Sequence, residues 1–115
     1  MAHAVTPRRV LFVCQFNRSR SATAERLFCR REDLEVRSAG TSPDALVRVN
    51  ERMLEWADVI FTMDDGQKRD LAAMFPSHAA IERLVCLDIP DDFTFLHPDL
   101  VTLLEEKVSA HLDLH

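Results

Sequence analysis

Residues Cys14 to Ser21 read CQFNRSRS, a thiol, two amides, two arginines and two serines within eight positions. They follow the apolar run RVLFV at 9–13 and precede a stretch with helical patterning. A cysteine at a strand end, facing the start of a helix, meets free N–H groups and the positive end of the helix dipole, which favour thiolate. Arg20 strengthens this, and its planar guanidinium matches a phosphate oxyanion through two parallel hydrogen bonds. The five residues between, Gln15, Phe16, Asn17, Arg18 and Ser19, allow the backbone to curl around an anion with its N–H groups inward. Ser21 can donate to the thiolate, and Asn17 tolerates the positive φ such a loop demands.

The chemistry this allows is in-line attack of thiolate on a phosphoryl group to give a cysteinyl-phosphate. The departing oxygen then needs a proton, and the water that clears the intermediate must lose one. A single carboxyl can do both in turn, and the anion beside it helps keep it protonated at first. Asp91 and Asp92 are the candidates, with Asp91 preferred and Asp92 the alternative acid. No metal or cofactor is required, since Arg20 and the loop N–H groups can carry the transition-state charge. A Cys and an Arg at this spacing occur by chance. CxxNxxRS set between a buried strand and a helix is much more specific.

Apolar runs and helical periodicities alternate along the chain. Strands are expected at 9–13, 34–38, 59–63 and 84–89, and helices at 19–31, 46–57, 66–75 and from Pro98 onward. Asp64 or Asp65 can cap the third helix, and Val101, Leu104, Val108 and Leu112 would face inward on the last. Trp56 belongs to an apolar stripe and reads as core, and Asp88 as a cap or turn. A β-α repeat implies a parallel sheet with helices on both faces. Ligands then bind at the carboxyl ends of the strands. Cys14 ends the first strand and DIPDDF follows the fourth, so both lie on one rim.

The 115 residues fit one domain, 1–115. A net charge of −5 argues against a general nucleic-acid or membrane-surface binder. No apolar run approaches a membrane span, and MAHAVTPRR lacks the apolar core of a signal peptide, so a cytoplasmic location is the default. Cys14, Cys29 and Cys86 form neither a disulfide framework nor a zinc spacing. His111 and His115 are four apart, but an exposed helix end explains them more simply than a metal pair. With glycine only at 40 and 66, dinucleotide and Walker-type loops are excluded.

The pattern VCxxNxxRS (Val13, Cys14, Asn17, Arg20, Ser21), the turn SAGT (38–41), the segment ADVIFTMDDGQKRDL (57–71) and DIPDDF (88–93) resemble the low-molecular-weight protein tyrosine phosphatases, in particular a short bacterial branch. The resemblance implies a four-stranded parallel sheet of order 2-1-3-4 in a three-layer sandwich. It implies Cys14 as nucleophile, Arg20 as phosphate clamp, Asp91 as general acid, and Asn17 and Ser21 as organisers of the loop. The implied substrate is a phosphorylated protein or a small aryl phosphate, with no nucleic-acid or membrane partner. The chain departs from the family pattern at Phe16, where glycine is usual, at Ser19, where a second cysteine is frequent, at Arg18, and at Asp92-Phe93 after Asp91. The region between the second and third strands is also shortened.

Phe16 and Phe93 could flank an aromatic leaving group, and His97 could reach it. Two other functions fit the same residues. One is a non-catalytic phosphate- or phosphopeptide-binding module, favoured by Phe16 and Arg18. The other is an arsenate reductase, which needs resolving cysteines, whereas Cys29 and Cys86 read as buried small hydrophobes.

Overall fold

The first apolar run forms a strand, β1 (Arg8–Cys14), that lies inside the sheet. The computed structural model describes residues 6–114. β1 pairs in parallel with β2 (Leu34–Gly40) from Arg8 opposite Leu34 to Cys14 opposite Gly40. On its other side it pairs with β3 (Val59–Thr62), which in turn pairs with β4 (Val85–Cys86), giving the order β2-β1-β3-β4. Successive strand residues point to opposite faces. Val10, Phe12 and Cys14 therefore pack with α1 (Arg20–Phe28) and α4 (Pro98–Leu112). Leu11 and Val13 pack under α2 (Glu51–Trp56) and α3 (Asp65–Met74). The result is the three-layer α/β sandwich that the alternation implies. Phe12 fixes the first of the two cores, with ring centroids 5.9 Å from Phe28 and 5.6 Å from Phe61.

Local signals place the helix starts. Asp64 caps α3 by accepting from the Gly66 N–H at 2.7 Å, while Gln67 Oε1 accepts from the Asp64 N–H at 2.8 Å, a reciprocal capping box. Pro98 occupies the first turn of α4, and His97 Nδ1 accepts from the Asp99 N–H at 3.1 Å. The buried stripe of α4 is Leu100, Leu104, Val108 and Leu112, with Val101 only half-buried at its edge. Among the described residues no helix is long and apolar enough to cross a membrane. His115 lies outside the described residues.

Several expected boundaries move. The helix expected at 46–57 begins only at Glu51, after Asn50 accepts from the Met53 N–H at 3.0 Å. Residues before it run alongside the Cys14 loop. Leu46 N–H donates to Phe16 O at 3.1 Å, Gly40 N–H to Val47 O at 2.8 Å and Val49 N–H to Gly40 O at 2.9 Å. Leu46 is accordingly 61% exposed and is not core. The fourth strand is shorter than 84–89. Asp88, at φ 55°, turns the backbone, although the Leu87 and Ile89 N–H groups still donate to Thr62 O and Met63 O at 2.8 and 2.7 Å. α1 stops at Phe28, which leaves Cys29 exposed, its thiol on Arg26 O at 3.3 Å, and Cys86 is half-buried. Neither is the fully buried hydrophobe expected of it. Trp56 is half-buried, its ring covered by the Arg37 guanidinium at 4.4 Å.

Gly40 marks the closest backbone approach. A Cβ there would lie 2.5 Å from Gln15 O and 2.7 Å from Ala45 Cβ. Gly40→Ala should therefore destabilise by about 1–3 kcal/mol, the usual cost of overpacking. Urea unfolding of the two proteins side by side measures this, and an unchanged midpoint would contradict it.

Candidate active site

The turn from β1 into α1 wraps back on Cys14. Asn17, at φ 57°, brings its own N–H to Cys14 Sγ at 3.2 Å. Ser21 Oγ lies 2.9 Å from the same sulfur. Asn17 is buried and spends both amide protons inside the loop, on Ser21 Oγ at 2.8 Å and on Ser38 Oγ at 2.9 Å. Ser38, accepting from Asn17, donates its own proton to Glu25. The direction of the chain is thereby fixed from Glu25 inward. Ser21 accepts from Asn17, so its proton is free for the sulfur or for Ala39 O at 3.3 Å. The sequence motif supplies Asn17 and Ser21. The parts played by Ser38 and Glu25 come from chain segments that only the fold brings together.

Arg20 is 2% exposed, among the largest fully buried side chains. Its Nη1 donates to Asp64 Oδ2 at 2.7 Å and to Ile89 O at 2.8 Å. Its Nε has no hydrogen-bond partner among the described residues, and Asp91 Oδ1 stands 3.6 Å away. A buried guanidinium N–H without a partner is costly, and Arg20 is among the residues that line a cavity of about 80 Å³. Cys14, Gln15, Phe16, Arg18, Ser19, Arg20 and Asp91 line that cavity. A small oxyanion there would meet Cys14, Arg20 and the start of α1.

Of the two candidate carboxyls, Asp91 lines the cavity. Its side chain is 56% exposed, which leaves it open to water. Asp92 is exposed and is not part of the lining. Phe16 stands at the mouth, 39% exposed. Phe93 does not flank the opening: it packs on the α1–α4 core and against His97, with centroids 5.4 Å apart. His97 is engaged in capping α4.

Asp64 reads from sequence as a helix cap only. Its position after the third strand, on the same rim as Cys14, is the signal for its second partner. Burial pushes the Asp64 carboxyl up, but hydrogen bonds from Arg20 and the Gly66 N–H outweigh that and hold it below the usual carboxylate range. The described residues also bring Glu51, Glu55 and His78 together, with ligand atoms within 4.8 Å of one another. His78 Nδ1 accepts from the Ala80 N–H at 3.1 Å, so the neutral ring carries its proton on Nε2. A metal there would have to break that cap.

No family model matches the sequence, and no curated protein matches it. Solved structures do match its fold. The arginine phosphatase YwlE from Geobacillus stearothermophilus superposes with a TM-score of 0.72 at 22% identity, covering 93% of this chain and 94% of that one. A low molecular weight protein tyrosine phosphatase from Streptococcus pyogenes gives 0.76 at 18% identity, covering 92% and 91%. A low molecular weight phosphotyrosine phosphatase from Vibrio cholerae O395 gives 0.73 at 25% identity, covering 92% and 95%.

Because the depressed carboxyl is the one that holds Arg20, Asp64→Asn should cost about 1–2 kcal/mol at neutral pH, discounted for a side chain that is 38% exposed. The difference from wild type should be complete above the ordinary carboxylate value of about 4. It should vanish as pH falls through the lower folded value. Urea midpoints of both proteins measured from neutral to acid pH test this, and a gap that persists unchanged into acid would contradict it.

Proposed function

We propose that this chain, which has the fold of the low molecular weight protein tyrosine phosphatases, is a cysteine-dependent phosphomonoesterase acting on phosphotyrosine or another aryl phosphate. The observation that carries this reading is that Cys14, its Sγ held by Ser21 Oγ and the Asn17 N–H, lines one small cavity with Arg20, whose buried Nε has no hydrogen-bond partner among the described residues.

In the first step the Cys14 thiolate attacks phosphorus, and an S–P bond forms as the P–O ester bond breaks. Asp91 gives its proton to the departing oxygen. Arg20 Nε and the loop N–H groups take the charge that builds on the equatorial oxygens. In the second step Asp91, now a carboxylate, takes a proton from water as that water attacks phosphorus. The S–P bond breaks, phosphate leaves, and the thiolate is stabilised by the Ser21 hydroxyl. Asp91 is favoured over Asp92 because only it lines the cavity.

A phenolic leaving group fits better than a guanidinium one. The mouth carries Phe16, which can stack on a ring, and Arg18, whose charge opposes a positively charged leaving group. Arsenate reduction fits poorly. Cys29 sits beyond the far end of the nine-residue α1, about 13 Å along the helix. Cys86 lies across β3 from β1, about 10 Å away. Both exceed the span a disulfide with Cys14 can bridge.

Release of p-nitrophenol from p-nitrophenyl phosphate between about pH 5 and 8, without added metal, tests the reading. Wild type should turn over, while Cys14→Ser should be inactive and still bind phosphate. Turnover surviving in Cys14→Ser would sink the mechanism. Phosphotyrosine binding by wild type without release would select the binding module instead. Asp91→Asn should lower kcat on phosphotyrosine by about 100-fold or more, and by less on p-nitrophenyl phosphate, whose leaving group needs less help. Asp92→Asn should leave that contrast absent, and a larger loss there would reassign the acid. A phosphoarginine peptide assayed in parallel distinguishes the leaving-group class.

A further inference from the structure

Two arginines line the cavity, and their charges are answered differently. Arg20 is buried, paired with Asp64 at 2.7 Å, and stands 3.6 Å from Asp91. Arg18 is exposed at the lip and, among the described residues, makes neither an ion pair nor a side-chain hydrogen bond. Asp91, the one carboxylate in the lining, already faces Arg20. Gln15 is shared with an adjoining depression that includes Thr41, Arg48 and Asp70. There Asp70 accepts from Thr41 Oγ1 at 2.8 Å, and Arg48 has no ion pair among the described residues.

At the mouth Arg18 therefore presents a guanidinium with no ion-pair partner among the described residues, on a chain whose net charge is −5. A phosphoryl group bound in the cavity is already faced by Arg20, which lines it. An exposed guanidinium at the lip is placed to meet what lies just outside the phosphate. We infer that Arg18 is a specificity residue that binds a second anionic group of the substrate. The preferred substrates are then phosphomonoesters with a further negative charge beside the phosphorylated group, such as a phosphotyrosine flanked by an acidic side chain. The inference rests on the cavity being the phosphate site proposed above.

The test compares wild type, Arg18→Gln and Arg18→Glu on phosphotyrosine peptides with Asp, Ala or Lys at the neighbouring positions. A second arm compares phenyl phosphate with carboxyphenyl phosphate. Wild type should prefer the Asp peptide to the Ala peptide by about twofold to fivefold in kcat/KM, the size of one exposed ion pair. The ratio should fall to about one in Arg18→Gln and invert in Arg18→Glu. It should also shrink as salt is raised. A gain by carboxyphenyl phosphate as well assigns the second anion to small molecules; a gain confined to peptides assigns it to a polypeptide neighbour. A wild-type ratio of one, or a ratio that survives Arg18→Gln, overturns the inference, because Arg18 then serves the phosphate alone. Dissociation constants of the same peptides for Cys14→Ser separate the two readings. An affinity preference without turnover by wild type upholds Arg18 and sinks the phosphatase. Turnover of p-nitrophenyl phosphate without any preference does the reverse.

Discussion

A guanidinium cannot be buried alone. Removing such a charge from water costs several kcal/mol unless partners are already in place. Arg20 obtains them from segments that are remote in sequence: the Asp64 carboxylate after β3, the Ile89 carbonyl beyond β4 and, at longer range, Asp91 in the loop that follows. These contacts gather the carboxyl ends of the strands around one cation. Asp64 serves both sides of the arrangement, since its second oxygen caps α3. The position of a whole helix is thus coupled to the residue that faces the cavity.

A second, neutral network does for the sulfur what Asp64 does for the guanidinium. Asn17 spends its amide protons on two serines from different elements, and Glu25 orients the outer one. The close approach at Gly40 lets β2 and the following turn support the loop from the side, with the Thr41 and Ser42 N–H groups donating to Cys14 O and Gln15 O at 3.0 and 2.9 Å. The loop is therefore held from beneath, from α1 and from β2, while its Phe16 and Arg18 side chains remain at the surface.

How much of this the sequence discloses depends on range. The strand β1, the turn into α1, the cap of α3 and the proline in the first turn of α4 are local events, and local patterns identify them. The order of the sheet came with the family resemblance and holds. The helix expected at 46–57 loses its first part because Leu46 and Val49, which continue the spacing of Met53, here serve other ends. Backbone pairing with Gly40 and Phe16 claims residues 46–49 first. The strand expected at 84–89 stops short because Asp88, which the sequence reads as a cap or turn, takes a left-handed backbone there. Cys29 reads as buried because lone cysteines commonly are, but α1 stops one residue before it. The pairing of Arg20 with Asp64 is legible only once the fold has brought two distant residues to one rim.

The all-parallel sheet has a consequence for how the protein is made. With no hairpin, no strand finds its partner locally: Arg8 waits for Leu34, Val10 for Val59, and Phe61 for Val85. Such non-local pairings close large loops before any contact rewards them, which slows folding. The central strand cannot be completed on both edges until about half the chain has been synthesised and docked. The carbonyl of Ile89 that holds Arg20 arrives later still. The anion cradle is consequently among the last features to form, and a nascent or truncated chain holds the cysteine without the environment that makes it useful.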